Sequence, residues 1–171
     1  MKWRFAAKFL VAFALLLVAW STTGFAHGYR SAVLATVQMA SPLVNGWWLD
    51  YDRPGSADDA VFRAGDREIA MLIQLPALSI GLVFLVSLLL ATPGLGRRQR
   101  IGRAATGAIL YFLLDTIVVL AYPLLLDRPN AVKNTLGVFL GLTAFVVAPL
   151  GLWFVLTYPA LRGVWGLTRR G

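Results

Sequence analysis

The chain has 171 residues, 58% of them hydrophobic and 14% charged, with a net charge of +8 and no cysteine. Several apolar runs of roughly 20 residues in so short a chain exclude an ordinary soluble domain and leave no room for a separate soluble module. The missing cysteine excludes disulfides, thiolate metal sites and a cysteine nucleophile. The positive charges flank apolar runs, so nucleic acid is not the expected partner.

Lys2, Arg4 and Lys8 lead into an apolar run over residues 9–25. Gly24 and Ala26 suit signal cleavage, but the run exceeds a signal core of about 7–15 residues, so an uncleaved first span is expected. Residues 26–70 then form an outer segment. Its first part places Tyr29, Val33, Thr36, Val37, Ala40, Leu43 and Val44 on one helical face, opposite Arg30, Ser31, Gln38, Ser41 and Asn45. This predicts an amphipathic helix over 29–45, lying at the outer interface or packed over the bundle.

Trp47, Trp48 and Tyr51 follow, and amphipathic rings suit the headgroup zone. Pro54, Gly55 and Ser56 mark a turn. Residues 61–63 and 67–69 flank Ala64, Gly65 and Asp66 as a short hairpin. Asp50, Asp52, Asp58, Asp59, Asp66 and Glu68 gather here without the D-x-D-x-D-G spacing of a calcium loop, which points to a solvated loop and no metal.

The second span is expected over 71–93, with Pro76 early in it. A basic cytoplasmic loop over 94–103 contains Arg97, Arg98, Arg100 and Arg103. The third span, 104–126, is followed by a short outer turn and a fourth span over 135–158. Pro123 and Pro149 are expected to kink these last two spans. With both termini inside, ten Lys and Arg lie on the cytoplasmic side against six outside, and seven acids lie outside. That bias fits the positive-inside rule. The predicted fold is thus an all-α integral membrane protein: four transmembrane helices, an interfacial amphipathic helix and a small extracytoplasmic hairpin.

Asp115 is the one charge-bearing side chain within a span. A mid-bilayer aspartate costs about 2.5–3.5 kcal/mol on insertion scales, so it faces the bundle interior or a partner. Tyr111 and Thr143 are the expected hydrogen-bonding neighbours, and a proton site, an ion site or contact with another subunit are the functional alternatives. Gly137 and Gly141 form a GxxxG, read as packing within the bundle rather than as a dimer contact. His27, the only histidine, has no nearby metal-ligand pattern. No nucleophile elbow, phosphate loop or HExxH is present, so neither a cofactor nor a catalytic residue is indicated.

The order of elements, and above all RRQRIGRAATGAILYFLLDTIVVLAY over 97–122, resembles the exosortase/archaeosortase family of membrane transpeptidases and the small membrane proteins associated with them. Family enzymes carry a Cys near positions 73–75, an Arg three residues after an Asn, and a His at the outer start of the last span. Here there is no Cys, Asp115 and Val118 take the Asn- and Arg-like places, and Lys133, Asn134 and Thr135 occupy the last position. Thiol attack needs a thiolate, a base and an anion-stabilising group. The resemblance therefore implies a catalytically silent accessory protein of a protein-sorting system in the bacterial inner membrane, contacting another membrane protein through Trp47, Trp48 and the Asp115 face. A small proton- or ion-linked transport subunit using Asp115, and a membrane enzyme using the acidic outer loop, are the alternatives.

Overall fold

The computed structural model describes residues 2–44, 46–51, 61–70, 75–127 and 130–164. The expected turn at Pro54, Gly55 and Ser56, the acids Asp52, Asp58 and Asp59, positions 71–74 and the terminal Arg169 and Arg170 lie outside them. Within the described residues the chain forms α1 (Lys2–Thr22), α2 (Phe25–Val44), β1 (Trp48–Asp50), β2 (Val61–Ala64), β3 (Arg67–Ala70), α3 (Leu75–Ala91), α4 (Arg97–Leu126), α5 (Ala131–Leu142), a π-helical turn (Thr143–Val147) and α6 (Ala148–Val164). The molecule is mostly helical but not all-α, because the expected hairpin gains a third strand.

Two helices, Trp3–Thr22 and Arg97–Leu125, are long and apolar enough to cross a membrane, while Ser79–Ala91 and Ala131–Leu142 are shorter apolar helices. Helix α1 ends where Gly24 takes φ 75°, a conformation that costs glycine little. Just before it, the hydroxyls of Ser21, Thr22 and Thr23 donate back to carbonyls of the preceding turn. On its bundle side α1 is held by rings: Phe9 and Phe13 lie edge-on to Phe84, at 5.5 and 6.2 Å.

Helix α3 is packed by α1, α2, α4 and α6. Leu82, Val83, Leu85, Leu88 and Leu89 are all buried, as expected of a helix apolar on every side. Gly107 of α4 lets this happen. A Cβ there would lie 2.9 Å from Leu89 Cδ1 and 3.3 Å from Leu156 Cδ1, so α3, α4 and α6 meet at a residue without a side chain.

The arginines expected in a loop, Arg97 to Arg103, instead form the first two turns of α4. Arginine and glutamine are good helix formers, and the Gly96 N–H donates to Gln99 Oε1 at 3.2 Å to begin the helix. Helix α5 starts on Asn130, whose side chain accepts from the Lys133 N–H at 2.8 Å.

The irregularity expected at Pro149 takes the form of the π turn. The Ala148 N–H bonds to the Thr143 carbonyl, five residues back. Pro149 has no N–H to offer the next carbonyl, that of Ala144. The Tyr111 hydroxyl of α4 donates to it at 3.1 Å instead. A buried carbonyl freed by proline is thus satisfied from a neighbouring helix.

The sheet has the order β1-β2-β3, antiparallel throughout, with Leu49 opposite Phe62 and Phe62 opposite Ile69. Gly65, at φ 59°, opens the tight turn between β2 and β3. Leu49 and Phe62 point inward and are fully buried, and Phe62 stacks on Tyr122 of α4 at 6.5 Å. An ion pair from Arg67 to Asp127 at 3.3 Å ties β3 to the end of α4. The sheet therefore sits over the end of α4 remote from its arginines.

Helix α2 packs over the bundle, against α4, α1, α3 and β1. Its buried side carries Val33, Leu34, Val37 and Ser41. This rotates the expected face: Ser41 is fully buried, whereas Leu43 is 89% exposed.

Candidate functional site

Two hydrophobic clusters meet around α4. One gathers Val33, Val37, Leu49, Phe62, Val118 and Tyr122 beneath the sheet, and the other gathers Leu82, Leu85, Leu89 and Tyr111. Tyr29 and Leu114 touch both. Asp115 lies one residue on from Leu114 and is only 2% exposed.

Asp115 is positioned by the register of α4, which sets Tyr111 one turn before it on the same side of the helix. Its partner comes from α2. The Tyr29 hydroxyl donates to Asp115 Oδ2 at 2.7 Å. Trp20 of α1 and Phe112 of α4 hold the Tyr29 ring, with centroids 5.6 and 6.0 Å away. The partner expected one turn away, Tyr111, spends its hydroxyl on the Ala144 carbonyl. The other carboxyl oxygen, Asp115 Oδ1, is buried with no hydrogen-bond partner.

Chemically this is a carboxyl with one phenolic donor and one open oxygen. It can take a proton or accept a further hydrogen bond. No Lys, Arg or His side chain pairs with it among the described residues. Asp115 is enclosed by its own chain, with its carboxyl turned to Tyr29 of α2. The signal for Tyr29 was its place as the one phenol on the apolar face of α2, and the distance to α4 along the chain hid the pairing.

Trp47 and Trp48, expected together in a headgroup zone, part company. Trp47 is buried in the cluster beneath the sheet, whereas Trp48, turned the opposite way at the start of β1, is 55% exposed. Two acids of the outer segment share one arginine: Arg63 lies 3.1 Å from Glu68 and 3.7 Å from Asp50. Among the described residues no three His, Asp or Glu side chains converge as metal ligands. His27 is exposed at the start of α2. Among the described residues Gly137 and Gly141 meet no other helix closely, since a Cβ on either would find nothing within 4 Å. The close helix approach expected of that GxxxG is made by Gly107 instead.

No known family, curated protein or solved structure matches the chain.

Proposed function

We propose that this protein is a non-catalytic accessory subunit of a membrane protein-sorting system of the exosortase type, crossing the bacterial inner membrane four times with both ends of the chain in the cytoplasm. The membrane reading draws support from apolar side chains left uncovered on the helices. Ile109, Leu113, Ile117 and Leu124 are exposed along α4, as are Leu136, Phe139, Val147, Phe154 and Val155 along α5, the π turn and α6. Water does not tolerate so much contiguous apolar surface on a monomer, and lipid does. The segment from α5 through the π turn to α6 supplies the fourth crossing.

The observation that carries the accessory reading is a second set of exposed apolar side chains, on α2 and β1. Met39, Leu43, Val44 and Trp48 are 78%, 89%, 63% and 55% exposed within ten residues of chain, where α2 runs into the sheet. Exposed aromatic and aliphatic anchors of this kind dominate binding energy at protein interfaces. This surface is suited to a sorting transpeptidase or its substrate tail.

Co-purification from mild detergent tests it. Tagged wild type is expected to retain the transpeptidase, and Trp48→Ala or Leu43→Asp to lose it several-fold without change in helical content. Full retention by both variants would end the proposal. The open oxygen of Asp115 favours a second reading, a proton- or ion-linked unit, and the same preparations separate the two. Under that reading Asp115→Asn abolishes a flux in proteoliposomes and leaves capture intact.

A further inference from the structure

At the basic end of the bundle, α4 begins with Arg97, Arg98, Arg100 and Arg103. No acidic residue occurs anywhere in residues 1–49, 69–114 or 128–171, and among the described residues the ion pairs of the acids are made with Arg63 and Arg67, not with these arginines. Two of the arginines differ from the rest. Arg97 and Arg98 are exposed, but Arg100 and Arg103, one helical turn apart on the same face, are partly covered. Arg100 Nη2 reaches the Thr92 carbonyl at 3.4 Å. Its Nε, and Nη1 of Arg103, are buried without any acceptor.

A guanidinium N–H removed from water and left unpaired is costly, and such groups in folded proteins have a partner. The partner chemistry that fits is a phosphate, whose oxygens accept from the planar fork of an arginine two at a time. The surroundings place that phosphate at a lipid surface. Thr92 also accepts from Trp153 Nε1 at 2.8 Å, and Phe5 packs on Trp153 at 6.2 Å. This aromatic ledge is of the kind found at membrane–water boundaries. Ile101, between the two arginines in the chain, is 59% exposed, and Ile109, 62% exposed, starts the exposed apolar positions of α4 beyond them.

We propose that Arg100 and Arg103 form a binding site for the phosphate of an anionic phospholipid headgroup in the leaflet facing the basic end of the bundle. The site rests on the membrane reading and not on any protein partner. It is distinct from the general attraction of basic flanks to anionic lipid, because it assigns affinity to two of four neighbouring arginines.

The full chain is reconstituted in mixed phosphatidylcholine–phosphatidylglycerol bilayers and released in mild nonionic detergent. Native mass spectrometry then counts the phosphatidylglycerol that stays bound. Wild type is expected to retain it in preference to phosphatidylcholine. Arg100→Gln/Arg103→Gln is expected to lose on the order of tenfold, with Arg100→Lys/Arg103→Lys intermediate. Arg97→Gln/Arg98→Gln, which removes the same charge, is expected to stay close to wild type. Equal losses in the two glutamine pairs would reduce the effect to diffuse charge and overturn the site. Displacement of the lipid by excess inorganic phosphate would overturn the lipid assignment in favour of free phosphate. A folding defect is read separately, from far-UV helicity. If Arg100→Gln/Arg103→Gln misfolds, the lysine pair carries the decision, and wild-type retention by it would also count against the site.

Discussion

Gly107→Leu is expected to be the most damaging single substitution in the helical core. The first atom of any side chain there meets Leu89 Cδ1 at 2.9 Å, with Leu156 and Leu85 at 3.3 and 3.4 Å. Overpacking of this kind costs about 1–3 kcal/mol, and three helices must separate to relieve it. Alanine is milder, because the crowded atoms are ends of flexible leucines and α4 gains about 1 kcal/mol of helix propensity. Gly141→Leu is the contrast, since its Cβ enters open space. Unfolding of purified protein in mixed detergent and dodecyl sulfate, followed by far-UV helicity, checks the ranking. Equal midpoints for Gly107→Leu and Gly141→Leu would mean that α3, α4 and α6 do not meet at Gly107.

The second large effect comes from the Tyr29–Asp115 pair. Tyr29→Phe removes the donor to Oδ2, and Oδ1 already lacks one, so the buried carboxyl keeps neither hydrogen bond. Leaving a buried polar group unsatisfied costs about 1–3 kcal/mol, and more for a charged one, whereas removing both partners can be nearly neutral. Tyr29→Phe/Asp115→Leu should therefore be more stable than Tyr29→Phe alone. The same unfolding assay, run as a double-mutant cycle, measures the coupling. Strict additivity would show that the two side chains do not interact.

The contrast between Gly107 and the GxxxG glycines shows where sequence reasoning stops. A spacing of four marks residues that share a helix face. It does not say whether another helix of the chain or lipid lies opposite. The same ambiguity misplaced the buried side of α2. When exposed positions face lipid or a partner protein, apolar residues such as Leu43 and Val44 no longer point to the core, and Ser41 can occupy the side packed on the bundle. Local signals fared better. The Gly65–Asp66 turn and the disturbance at Pro149 are both set by neighbours within a few residues. Strand β1 was missed because three residues pairing with β2 across a long connection leave no local periodicity. Asp115 stood out as a lone acid in an apolar run, but its partner on α2 is 86 residues away in the chain.

Side-specific labelling tests the four crossings most directly, and a chain without cysteine is ready for it. Single Asp66→Cys, Gln99→Cys, Asn130→Cys and Arg162→Cys variants are exposed to a membrane-impermeant maleimide in spheroplasts and again after permeabilisation. Labelling of Asp66→Cys and Asn130→Cys in intact spheroplasts, with Gln99→Cys and Arg162→Cys reacting only after permeabilisation, is the predicted pattern. Labelling of Gln99→Cys from outside, or of Asp66→Cys and Asn130→Cys from opposite sides, would contradict it.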